Sequence, residues 1–152
     1  MIQPGQYDIY ADRWVACSRT FTLLGVDLTG ASFASQIRQV SDLGGTAMVT
    51  LGVGASATVD GIRLLYGGTD IITNHITAGR LASVPEGYLS STSVAISQLA
   101  YFITAVTMAT LPLPAERGTN TNLAWDITIT PSGGVKDKYL GGAFIVRPGV
   151  SQ

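Results

Sequence analysis

The stretch LAWDITIT, residues 123–130, constrains the chain more than any other. Leu123, Trp125, Ile127 and Ile129 share one parity; Ala124, Asp126, Thr128 and Thr130 share the other. Successive side chains of an extended strand point to opposite faces, so this pattern spells a strand with a dry side and a wet side.

The same period of two recurs along the chain. In DLTGASFASQIR a turn-like Asp27–Gly30 leads into Ala31, Phe33 and Ile37, which alternate with Ser32, Ala34, Gln36 and Arg38. Val15, Cys17, Phe21 and Leu23 form another set, interrupted by Arg19. Ala47, Val49, Leu51 and Val53 form a further one, then Ile62, Leu64 and Tyr66, then Val94 and Ile96. Near the end Phe144 and Val146 oppose Ala143, Ile145 and Arg147, and both faces are fairly apolar. Glycine pairs separate the strands: Gly44-Gly45, Gly67-Gly68, Gly133-Gly134 and Gly141-Gly142. Such pairs read as turns, because glycine reaches positive φ without steric cost. TPSGGVKDKYL reads as a hairpin loop before the last strand. The one helical segment is expected at about Ala100 to Thr110. Short strands at this spacing predict an all-β fold, an antiparallel Ig-like β-sandwich with one short helix. It is read as a single domain over 1–152, with 52–92 as a long loop or insertion carrying one or two strands.

Charge narrows the function. Nine Lys and Arg face ten Asp and Glu, for a net charge of −1. A nucleic-acid partner would require a cationic footprint that this balance does not supply. Charged residues make up 12% of the chain, against roughly 25% in an ordinary soluble domain. Mean hydropathy is +0.32. A surface this poor in charge is built from Thr, Ser, Gly, Ala and apolar area, and large exposed apolar patches mark contact with other proteins. Much of the surface is therefore expected to be covered in the working state. The lone Cys17 leaves no internal disulfide and reads as a small buried hydrophobe. The first residues, MIQPGQYDIYADR, lack a basic region followed by an apolar run, so no secretory leader is expected. No charged residue lies between Glu86 and Glu116. Still, VAISQLAYFITAVTMATLPLP carries several Ser, Thr and Gln and lacks basic flanks, so it reads as a buried strand followed by a short packed helix, not a membrane span.

Residues suited to chemistry are scarce. His75, the only histidine, lies in the polar stretch DIITNHITAG and is expected in a loop, bonded to water or backbone. One His and one Cys far apart do not make a metal site. GVGASA, residues 52–57, matches the glycine spacing of a dinucleotide loop, but the stretch SATVDGIRLLYGG does not read as a helix and no βαβ alternation surrounds it. Asp27, Asp42, Asp60 and Asp70 sit beside Gly or Thr as turn formers, and Asp126 interrupts a strand on its wet face. Trp14 and Trp125 read first as core residues. No catalytic, cofactor-binding or metal-ligating residue is assigned, no cofactor is expected, and the chain is read as a non-enzyme.

The order of these pieces resembles a domain common in tailed bacteriophages, the N-terminal β-sandwich of baseplate upper proteins and related small tail or virion proteins. The matching residues are Asp27, Leu28, Thr29, Gly30, Ala31, Phe33, Ile37 and Arg38. Leu111 and Pro112 follow, then Trp125 and Asp126, then Leu140, Gly141, Gly142, Phe144, Val146 and Val150. The resemblance implies a non-enzymatic virion protein, a tail or baseplate adaptor or ring component, assembled in the cytoplasm of a bacterial host. Its implied partners are other virion structural proteins and copies of itself in a ring or lattice, without nucleic acid or membrane. A capsid decoration protein is the near alternative. A carbohydrate-binding module using Trp14 or Trp125 is the alternative of another class.

Overall fold

Among the described residues, nine strands and two short helices follow one another in the order β1 (Gly5–Gln6), β2 (Ile9–Asp12), β3 (Cys17–Leu24), β4 (Ser32–Gln39), β5 (Val49–Leu51), β6 (Gly61–Ile71), α1 (Ile72–Thr77), β7 (Ser93–Ile103), α2 (Ala105–Met108), β8 (Thr121–Thr130) and β9 (Asp137–Arg147). This computed structural model describes residues 5–39, 47–114 and 116–148. Gly44-Gly45, Asp42 and Val150 of the sequence reading lie outside the described residues.

The strands make two sheets, as the alternation demands. The larger runs β1-β9-β8-β4-β5, with β2 also on β9; the smaller runs β3-β7-β6. All pairs are antiparallel except β1 and β2, which lie parallel to β9. The inward parity of each strand fills the space between the sheets: Phe33 and Ile37, Leu123 to Ile129, Phe144 and Val146 from one side, Phe21, Leu99, Tyr101 and Ile103 from the other. At the centre Trp125 stacks on Phe21 at 5.5 Å and 18°, and Tyr101 meets Trp125 edge-on at 5.5 Å. The Tyr101 hydroxyl crosses the gap to Ser35 Oγ at 3.0 Å, which gives both buried hydroxyls a partner.

Several expectations change. Residues 52–92 hold one strand, the eleven-residue β6, within the one or two expected, and in addition the helix α1; 54–60 and 78–92 are irregular. The described residues hold two helices instead of one. The strand β7 runs on through Ile103, so α2 occupies only the last part of the expected helix, because Tyr101 and Ile103 are drawn into the core. Tyr66 leaves the Ile62–Leu64 set: a bulge at Leu65 shifts the register and turns Tyr66 to the outer face beside Gln98.

The glycine pairs are mostly not turns. Gly133-Gly134 does lie in the β8–β9 hairpin, but Gly67-Gly68 and Gly141-Gly142 sit inside β6 and β9. At Gly142 the reason is space. A Cβ there would stand 2.3 Å from the Tyr7 carbonyl oxygen, which also accepts the Trp125 Nε1–H at 2.8 Å. The N-terminal segment, running parallel beside β9, thus packs closely on it at a position where β9 has no side chain.

The outer face of the smaller sheet carries a second, separate cluster. Helix α1 and residues 78–92 fold over it, and Ile72 packs on Val94 and Ile96 with Tyr66, Ile76 and Leu81 around them.

Candidate interaction surface

The residues singled out for chemistry are dispersed, His75, Cys17 and Trp125 buried and Asp27 and Trp14 exposed. His75 is fully buried in α1, not exposed in a loop. Arg80 Nε can only donate, so its 2.9 Å bond makes His75 Nδ1 an acceptor. The Nε2–H then donates to the Val94 carbonyl at 2.9 Å. The expected bond to backbone is there, but its purpose is to clamp α1 to β7. Arg80 also lies over the Tyr66 ring at 3.8 Å. Cys17 is buried at the start of β3, and burial pushes its thiol up despite the nearby Arg19. Burial raises Tyr101 strongly as well, although its bond to Ser35 opposes this. No group of three or more His, Cys, Asp or Glu comes together among the described residues.

The other motifs resolve into architecture. After GVG the chain makes bends and turns before β6 starts at Gly61, so nothing presents a helix N-terminus. Instead the stretch carries the chain from one sheet to the other. Val53 bridges Ile62 in parallel, with Gly54 N–H donating to Ile62 O and Ile62 N–H to Gly52 O. Gly61, at φ +148°, passes so close that a Cβ would lie 2.5 Å from the Gly54 Cα. Asp27 is a turn former: its Oδ1 takes both the backbone N–H and the hydroxyl of Thr29, and these two bonds hold its carboxyl below the usual range. Asp60 receives the Thr104 N–H at 2.6 Å and the Thr107 hydroxyl, and so caps α2 from across the chain.

What remains for function is the surface, where eight of the fifteen exposed large apolar side chains of the described residues lie on two borders between the sheets. Where β1 and β2 border β3, the segment YDIYADRWV exposes Tyr7, Tyr10, Trp14 and Val15, with Trp14 55% exposed. The two sheets are tied here by Arg19, which donates to the Tyr10 carbonyl, and by Tyr7 set edge-on to Phe21 at 5.2 Å. The turn carrying Trp14 is held firmly. Arg13 is buried and donates to the carbonyls of Leu111 (2.6 Å) and Pro112, and to Thr121 Oγ1 at 3.3 Å. This clamp draws residues 111–113 against the turn and leaves Leu113 74% exposed beside it. Asp12 pairs with Arg147 at 2.8 Å on the same border.

On the opposite side of the sandwich β5 crosses to β6, and there Val53, Val59 and the bulged Leu65 are exposed, Val53 at 63%. We refer to these borders as the aromatic edge and the aliphatic edge.

Trp125 is only 3% exposed and packed between the sheets, while Trp14 stands outside; the sequence reading of both tryptophans as core holds for one. The Arg13 clamp was missed because nothing in the local pattern distinguishes it from a surface arginine. The two edges were missed because an exposed Val or Leu at a strand end has the same periodicity as a buried one. No helix of the described residues is long and apolar enough to cross a membrane. No protein-family model matches the chain, and no curated protein matches it significantly.

Proposed function

We propose that this chain is a non-enzymatic structural subunit of a bacteriophage virion, an adaptor or ring component of the tail or baseplate that holds neighbouring subunits together. One observation carries the reading: among the described residues of this charge-poor sandwich, fifteen large aromatic and aliphatic side chains stay exposed, and eight of them lie on the two edges. Burying such area against other proteins contributes about 25 cal/mol per Å². A contact of standard size, about 1,600 Å² in total, needs little charge to hold. Trp125, the better candidate for a sugar platform, is enclosed, and Trp14 sits on a turn among apolar neighbours, which favours a protein partner over a glycan.

The test is composition and imaging of purified particles. Quantitative mass spectrometry should find the protein in fixed, multiple copies per particle. A gold-labelled antibody should then mark the tail or its tip. Labelling spread over the head would transfer the role to capsid decoration, and absence from purified particles would refute the reading.

A further inference from the structure

The cover over the smaller sheet is fastened by a histidine whose bonds dictate its protonation. His75 is fully buried in the last turn of α1. Arg80 Nε–H donates to its Nδ1 at 2.9 Å, and its Nε2–H donates to the Val94 carbonyl at 2.9 Å. Both ring nitrogens are engaged, and only the neutral ring satisfies both partners. A second proton would have to sit on Nδ1 and point at the Arg80 Nε–H. Two donors on two cations would then meet with no acceptor between them, inside a site closed to water.

The groups packed around the ring offer little relief. Helix α1 carries no other titratable side chain, and neither does β7 at residues 93–96. Strand β6 contributes Tyr66, edge-on to the imidazole at 6.0 Å, and Asp70. Asp70 Oδ1 accepts the Asn74 amide at 2.9 Å and the Ile71 N–H at 2.8 Å. Those two bonds, ahead of the weaker pull of His75 and Arg80, hold its carboxyl below the usual range. Asp70 therefore stays ionised through the range of interest, with its bonds directed elsewhere. Residues 78–92 contribute the exposed Glu86 and Arg80 itself, whose guanidinium lies over the Tyr66 ring at 3.8 Å. The Arg80 backbone N–H also donates to the His75 carbonyl at 2.8 Å, so the cation is tied to the same turn as the ring it faces.

We propose that this joint is an acid-released latch: a proton taken up by His75 expels Arg80 from Nδ1 and frees α1 and residues 78–92 from the outer face of the smaller sheet. The closed cover holds the neutral imidazole, whereas an opened cover gives it to water, where it accepts the proton freely. The opened form thus binds more protons, and the cover loses stability as pH falls. Histidine changes charge between about pH 8 and pH 5, so the latch works in mild acid. Release would bare Ile72, Val94 and Ile96, while the inward face of β7 stays packed in the main core. The inference is independent of the structural-subunit reading, and either can fail without the other.

The experiment is hydrogen exchange by mass spectrometry from about pH 7.5 to about pH 5, corrected for the intrinsic pH dependence of exchange. It is run on the unaltered chain, on His75→Gln and on Arg80→Gln, with near-ultraviolet circular dichroism of the buried Trp125 as the check on folding. In the unaltered chain protection of residues 72–92 should fall about tenfold or more, while β4 and β8 keep theirs. His75→Gln has an acceptor and a donor but nothing to titrate, so its protection should be flat with pH. Arg80→Gln gives the protonated ring an acceptor; its cover should be looser at neutral pH, yet change little on acidification. That second variant keeps the test decisive if His75→Gln leaves the cover open throughout. The inference is overturned if protection of 72–92 in the unaltered chain does not change with pH, or if β4 and β8 lose protection equally. It is equally overturned if either variant shows the full fall.

Discussion

The space between the sheets and the small cluster beneath α1 are built from the same strand, β7, yet they are different kinds of core. Facing inward, Leu99, Tyr101 and Ile103 join a cluster drawn from both sheets, with the Trp125–Phe21–Tyr101 group at its centre. Facing outward, Val94 and Ile96 are covered by α1, its following segment and Tyr66, and His75 ties that cover to the Val94 carbonyl. The contrast accounts for the long uncharged run after Glu86. A strand buried on both faces has no wet parity left, and it reads as a continuous apolar stretch. It also implies two levels of stability: the outer cover can open locally while the sandwich stays closed.

The strongest attack on that division is Trp125→Ala. Loss of a large buried aromatic costs about 3–5 kcal/mol, and here it strips Phe21 and Tyr101 of their partner. Urea unfolding should keep one transition at a much lower midpoint. Next comes Ile72→Ala, at about 2 kcal/mol, the low end for such a truncation. Hydrogen exchange should accelerate across residues 72–92 while amides of β4 and β8 keep their protection. Equal acceleration in both places would erase the distinction between the two cores.

A smaller effect lies outside both clusters, at the cap of α2. Burial pushes the Asp60 carboxyl up, but bonds from the Thr104 N–H and the hydroxyls of Thr107 and Thr104 outweigh it, and the net displacement is downward from 3.8. A lowered carboxylate contributes stability that is complete above its unfolded value and lost as pH falls through the folded one. Helix α2 should therefore fray only below about pH 3.8, read by exchange of the Thr107 and Met108 amides. Asp60→Ala should fray it at neutral pH for about 1 kcal/mol, the usual cost of a lost cap. Smallest is Trp14→Ser, which should change the unfolding free energy of the single chain by less than about 0.5 kcal/mol. A larger loss in differential scanning would mean that this tryptophan supports the fold instead of facing a partner.

Most of the sandwich was legible because one parity of a half-buried strand must be apolar. LAWDITIT became β8 with all four large residues buried, and the hairpin after it fell where its glycines are. What escaped was whatever local pattern does not encode. The bulge at Leu65 reversed Tyr66. Gly141-Gly142 looks like a turn but answers to the Tyr7 backbone, more than a hundred positions away. Arg13 reads as surface charge until Leu111 and Pro112 are folded onto it. The candidate surface was foreseen only as a shortage of charge; which side chains stay outside is decided by the two crossings between sheets.

The parallel seam between the first strands and β9 has a consequence for synthesis. Ile9 and Ala11 find their neighbours Phe144 and Val146 only after residue 147 has been made. Until then β2 lacks its strand partner, and β8 has an open flank. β9 then slots between β2, made far earlier, and β8.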